Sequence, residues 1–289
     1  MTEDGIRQSI AERGFLSLAV ADFPAMYRNM AKGYFDMAED FNRVGQSIAT
    51  RAMNAAPDDH RDPKVLATLL LLRTLQSFQA AVLLCERGMA TEARMVLRSC
   101  FENSFCLAAM VVDAPTMMAA FEADHKHTLK SLAKFIAQSE DRMQHLDPKA
   151  KKAVRTTAST ADQLWGKVRQ LAIDDVAKGS AYADAYLVYR KLSSDASHPS
   201  YTSLERFFDR KGGEIWDFTV GPQPTEIVAE TINFGCLALN AVLIAFTQFV
   251  DDEEGNRYAA RMLSTYARVL DYITAQQQQQ QHPAAAQSR

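Results

Sequence analysis

The chain has 289 residues, 47 % of them apolar, enough to fill a sizeable core in one large domain or two small ones. Thirty-two basic against thirty-five acidic side chains leave a net charge of -3, which excludes a global field drawing in nucleic acid or an anionic membrane and leaves only a local basic groove. Cys85, Cys100, Cys106 and Cys236 fall in apolar helical stretches without a CxxC pair, and the charged start MTEDGIRQSIAERG has no signal-peptide core, so free thiols and a cytoplasmic location are expected.

The first fifty-odd residues read as a short and a long amphipathic helix, with Phe23, Met26, Met30, Tyr34 and Met37 as a packing stripe after Asp22 as a cap. Residues 54–63, rich in Pro and Asp, predict a loop. Residues 64–87 predict a strongly apolar helix ended by Gly88 at its C-cap, and residues 90–112 predict the central helix of the fold. The two make an antiparallel hairpin. Arg98 and Glu102, one turn apart on the Met95/Phe105 face, need partners, because an unpaired charge in an apolar surface is costly. Arg73, with Leu66, Leu69, Leu70, Ala80 and Leu84 around it on the wheel, is expected to be buried as well. A structural salt bridge of Arg73 or Arg98 with Glu102 is the alternative to a site.

Asp113, Ala114 and Pro115 break the pattern, and residues 117–139 resume as a more polar helix. His125 and His127 lie about 200° apart on a helix and cannot face one metal, and Glu122, Asp124 and His145 do not repair the spacing. No metal and no cofactor is expected. Residues 147–161, basic and small with no interleaved aromatics, read as a loop or a solvated helix face. Trp165 starts a new apolar rhythm. Tyr182, Tyr186, Tyr189 and Ser193 then share one helical stripe with Arg190 beside it, and Pro199 should end that helix near Ser197. His198 is left at the helix mouth, where the dipole favours an imidazolium.

Residues 203–208 and 214–220 flank a Gly-Gly dipeptide and predict one small β-hairpin, the only sheet expected. Residues 231–250 carry no charge over the length of a membrane span, yet Thr231, Asn233, Asn240, Thr247 and Gln248 interrupt them and DDEE comes next. A buried core helix, and no membrane span, is the expectation. Residues 255–275 form a last amphipathic helix, and residues 276–289 a disordered glutamine-rich tail. The fold class is all-α, a multi-helix bundle around a central apolar helical hairpin, in a single helical domain over residues 1–275.

The run GMATEARMVLRSCFE, preceded by LRTLQSFQAAVLLCERG and followed far downstream by YADAYLVYRKLSSDASHPSYTSL and a short hairpin, resembles an uncharacterised bacterial family, domain of unknown function 5677. The likeness covers residues 65–250, and Glu92, Ala93, Arg98, Glu102, Tyr186, Ser193 and His198 match its pattern. It implies a helical protein and no particular activity. A looser likeness is to the HEPN class, whose motif places an arginine a few residues before a histidine near a helix end. Here Arg190 and His198 are separated by seven residues, longer than that motif's usual spacing. This resemblance implies a metal-independent ribonuclease of the toxin or phage-defence kind, with His198 and Arg190 as its catalytic residues.

The polar stretches together predict a site in which Arg98, Glu102 and Arg73 meet Ser193 and His198 inside the bundle. A guanidinium would take a phosphate or carboxylate, Glu102 would orient it, and His198 would serve as donor or general acid. The first reading is a ligand-binding or regulatory protein for a small anionic ligand, because no nucleophile and base pair, Gly-rich phosphate loop or metal quartet is present. A ribonuclease acting on RNA is the second, a purely structural helical protein the third, and a homo-oligomer is compatible with all of them.

Overall fold

Glycine and capping residues cut the N-terminal part into more pieces than the sequence pattern predicts. In the computed structural model, which describes residues 3–196, 201–205, 207–211, 215–218 and 220–281, α1 (Glu3–Arg13) stops at Gly14 with φ +59. Two short 3-10 turns, Gly14–Leu16 and Leu18–Val20, lead to α2 (Phe23–Met30) and α3 (Lys32–Asn54). Between α2 and α3, Ala31 leaves helical geometry at φ -114 and ψ 34, yet the buried stripe continues across it. Phe23, Tyr27, Ala31, Phe35, Ala38 and Phe41 are buried, whereas Met26 and Met30 of the expected stripe are 40 % and 60 % exposed.

Asp62 caps α4 (Pro63–Cys85) by accepting from the Lys64 amide at 2.7 Å. The chain reverses at Gly88, whose φ of +73 suits glycine, and enters α5 (Ala90–Ala137). A β-carbon at Gly88 would lie 2.6 Å from Pro222 and 2.7 Å from the Tyr27 hydroxyl. Tyr27 donates that hydroxyl to the Gln223 carbonyl at 2.5 Å, and the Gln223 amide donates to the Gly88 carbonyl at 2.8 Å, so three segments close on this one turn. Side chains fix the hairpin as antiparallel: Ser99 reaches Ser77 at 3.3 Å, and Asn103, one turn further along α5, reaches back to Thr74 at 2.9 Å. α5 breaks at Asp113 (φ -152, ψ 84), whose carboxylate caps the second segment through the Thr116 amide at 3.0 Å and hydroxyl at 2.7 Å. Pro115 sits in the first turn after the break, where a missing N–H costs nothing.

The second half of α5 runs beside α7 (Pro148–Trp165), reached through the short α6 (Glu140–Gln144). In α7 the one buried residue is Ala161, and Asp162 receives both Lys130 and Lys134, so the basic segment is a solvated helix face. α8 (Ile173–Lys178) and a 3-10 turn lead to α9 (Tyr186–Ala196), which packs on α5, and α10 (Tyr201–Glu205) comes after it. Two four-residue strands, β1 (Phe208–Lys211) and β2 (Ile215–Phe218), pair antiparallel with Phe208 opposite Phe218.

α11 (Thr225–Val250) packs against α3, α4 and α5, burying Val228, Ile232, Cys236, Leu239, Val242 and Phe246. α12 (Glu253–Gln281) closes the fold over α3 and α11 and carries helical geometry through the glutamine run, where the composition predicts a tail. α4, α5 and α11 are each long and apolar enough to cross a membrane by length and composition. The four cysteines are free and buried, and burial pushes Cys85, Cys100 and Cys106 up to about 12.

Candidate functional site

Arg98 and Glu102 lie one turn apart on α5, with Arg98 Nε 3.1 Å from Glu102 Oε1. Their side chains are 31 % and 26 % exposed, so the pair sits at the edge of the core, less deeply than the sequence pattern suggests. α9 lays Tyr189 across it. The Tyr189 hydroxyl accepts from Arg98 Nη2 at 3.0 Å and donates to Glu102 Oε1 at 3.3 Å, and the guanidinium carbon stands 5.3 Å from the Tyr189 ring centre. Tyr189 is itself 4 % exposed, held edge-on by Phe105 at 5.8 Å and stacked by Tyr186 at 5.6 Å. A rigid aromatic pair from one helix thus fixes the planar cation of another.

One turn earlier on α5, Arg94 is the more deeply buried arginine, with its side chain 11 % exposed. Its Nε donates to Thr231 Oγ1 at 3.0 Å and its Nη2 to Glu230 Oε2 at 2.6 Å, both at the start of α11. The other Glu230 oxygen accepts from Lys191 of α9 at 2.6 Å, and Lys191 also stands 5.2 Å from the Phe234 ring centre. Reasoning from the sequence misses Arg94 and Glu230, although the chain carries a signal for both. Ala90, Ala93, Leu97 and Phe101, which stand four and one residues before Arg94 and three and seven after it, are all buried, and Glu230 is the last charge before the uncharged run of residues 231–250.

The remaining predicted site residues divide. Arg73 is exposed on the outer side of α4, which corrects the expectation of burial; its charge still reaches α5, lowering the Cys100 and Cys106 thiols against the larger effect of burial. Ser193 is half-buried and donates to the carbonyl of Tyr189 in its own helix at 2.8 Å. Arg190 is exposed, and its hydrogen bond with the Tyr186 phenol, followed by the charge of Asp174, raises its guanidinium further. His198, with Ser197 and Pro199, lies outside the described residues. His125 is exposed and His127 half-buried on the second half of α5. The structure therefore joins Arg98, Glu102 and the Tyr189 of the predicted stripe, while among the described residues no ion pair ties Arg73 to Glu102.

Two cavities lie elsewhere. One of about 250 Å³ opens between the ends of α3 and α11 and the start of α4, with Arg51, Lys64, Thr68, Phe246 and Asp252 among its walls and Arg51 Nη2 2.8 Å from Asp252. A second of about 200 Å³ sits under Phe15, Thr91, Glu92, Phe207 and Gln223. Neither is lined by Arg98, Glu102 or Tyr189.

The family model described as a family of unknown function (DUF5677) matches residues 64–215. The chain belongs to this family. The DUF5677 segment runs from the start of α4 to the start of β2, so it includes Arg94, Arg98, Glu102 and all of α9 and stops short of Glu230 and Thr231 on α11. In this DUF5677 member the α5 and α9 side of the joint thus lies inside the family segment and the α11 side outside it. No curated protein and no solved structure matches the chain. The likeness to the HEPN class is carried by none of these comparisons.

Proposed function

We propose that the joint of α5 and α9 binds the anionic group of a small ligand, and that the protein is a ligand-binding or regulatory helical protein. The observation that carries this reading is the state of Arg98: Glu102, the Tyr189 hydroxyl and the Tyr189 ring fix its plane, yet 31 % of its side chain remains open to solvent. A guanidinium already oriented loses little freedom on meeting a phosphate or carboxylate, and its planar donors suit two-pronged contact. Lys191, half-exposed and held by Glu230 on the next residue but one after Tyr189, adds a second cation along the same helix.

The same reading puts the protein in the cytoplasm without a membrane span. It is supported by α11, the most apolar of the long helices, where 67 % of the apolar window is buried and Thr231, Asn240 and Thr247 are buried with it.

The test is mass spectrometry of small molecules and nucleic acid retained by the purified protein, wild type against Arg98→Lys. The reading predicts a stoichiometric anion on the wild type that the variant loses while keeping its helical signal, because an ammonium cannot reproduce the planar contact. An anion retained equally by both, or none on either, would overturn it. Retained RNA, cleaved in chelator by wild type but not by His198→Gln or Arg190→Ala, would replace it with the ribonuclease reading.

A further inference from the structure

α5 opens straight after the Gly88 turn, and Met89 at its N-cap makes no side-chain bond and turns its amide back to the Leu84 carbonyl at 3.0 Å. Thr91 and Glu92 follow in the first turn of the helix. Thr91 is 7 % exposed and Glu92 half-buried, yet among the described residues neither the Thr91 hydroxyl nor the Glu92 carboxylate has a hydrogen bond or an ion pair. Both line the cavity of about 200 Å³, together with Ile10, Phe15 and Phe207. A carboxylate taken half out of water is costly until a cation meets it, and the described walls of this cavity carry no basic side chain.

We propose that this cavity holds a small organic cation, a protonated amine on a compact apolar body, with Glu92 as its counter-charge. The walls supply each part of that recognition. Glu92 and the Thr91 hydroxyl can each accept an ammonium N–H. Phe15 is half-buried and Phe207 exposed, so both keep ring surface for a guest, and a phenyl face attracts an ammonium while its area takes up the apolar body beside Ile10. The positive end of the α5 dipole favours a negative side chain in the first turn, which suits Glu92 to its position without giving it a hydrogen bond.

Backbone contacts hold these walls before any ligand arrives. The Tyr27 hydroxyl donates to the Gln223 carbonyl at 2.5 Å and the Gln223 amide to the Gly88 carbonyl at 2.8 Å, which ties the segment leading into α11 to the turn before Thr91. A guest therefore meets a formed site and orders little on binding. Size limits the guest as well, since about 200 Å³ is less than a drug-sized ligand fills and suits a group of the bulk of benzylammonium. The site is separate from the joint of α5 and α9, and takes a ligand of the opposite charge.

The experiment is saturation-transfer NMR at pH 7 with benzylammonium, benzyl alcohol and benzoate on full-length wild type, Glu92→Gln and Arg98→Lys, each checked for helical signal by circular dichroism. Wild type should bind benzylammonium about tenfold or more tightly than the neutral alcohol or the anion, because only the cation pairs with Glu92. Glu92→Gln should lose that preference, and Arg98→Lys should keep it, which separates this site from the one at Arg98. Benzyl alcohol bound as tightly as benzylammonium by wild type overturns the proposal without recourse to any variant. So does a preference for the cation that survives Glu92→Gln or disappears in Arg98→Lys, or no binding of benzylammonium up to about 10 mM.

Discussion

The Tyr189 hydroxyl accepts from Arg98 at 3.0 Å and donates to Glu102 at 3.3 Å, so a single phenol on α9 locks both charges of α5. Because both charged side chains keep more than a quarter of their surface in water, their direct attraction is screened. Arg98→Ala and Glu102→Ala are each expected to cost about 1 kcal/mol, with a coupling of about 0.5–1 kcal/mol in a double-mutant cycle. Tyr189→Phe, which takes a hydroxyl from a buried ring, should cost about 1–2 kcal/mol. Urea unfolding of the set measures all of these, and strict additivity of Arg98→Ala and Glu102→Ala would mean that the two do not interact.

Arg94 should matter more to the fold than Arg98. Its guanidinium is nearly covered and joins α5 to the first turns of α11 through Thr231 and Glu230. Arg94→Ala is expected to destabilise by about 2–4 kcal/mol, against about 1 kcal/mol for Arg98→Ala. Denaturation midpoints in the reverse order would show that the α5–α11 contact is not the stronger tie.

Gly88→Ala tests the turn on which three segments converge. The new methyl meets Pro222 and the Tyr27 hydroxyl while the backbone holds a positive φ, so the expected loss is about 2 kcal/mol or more. Thermal unfolding reads it, and an unchanged midpoint would mean that the turn relaxes without cost.

Stability should fall in alkali through two buried phenols. Burial raises Tyr27 and Tyr266 from 10.0 to about 12, so the folded chain holds their protons where the unfolded chain gives them up. Their contribution is fully present below pH 10 and is lost as the pH climbs from 10 towards 12. Urea midpoints at pH 8, 9, 10 and 11 for wild type and Tyr27→Phe isolate one of them. The variant should show the shallower decline, and parallel curves would contradict the assignment.

Much of the fold is legible in the chain, and the exceptions have physical causes. Two apolar runs split by Gly88 announce the α4–α5 hairpin because each is long and strongly apolar, and the stripe through Tyr186 and Tyr189 marks the side of α9 on which Tyr189 is buried. That Tyr189 meets Arg98 and Glu102 is not legible, since the register between helices distant in sequence is set by packing. Arg73 is misplaced for a related reason. A wheel reads apolar neighbours as burial, but Leu69 and Leu83 are themselves on the solvent face of α4. The Met26 and Met30 stripe fails within α2 itself, because Phe23 and Tyr27 take the buried side and the stripe continues through Ala31 and Phe35, leaving Met26 and Met30 on the flank. The helix through the glutamine run fits residues of good helix propensity continuing α12, where composition suggests a tail.

The most direct measurement of the central claim is thermal unfolding of wild type and Arg98→Lys in a titration of inorganic pyrophosphate, against sodium chloride at matched ionic strength. An anion site oriented by Glu102 and Tyr189 stabilises the fold by mass action, so the wild-type midpoint should rise steadily with pyrophosphate while the lysine variant tracks the chloride control. Equal rises in both proteins, or no rise in either, would contradict it.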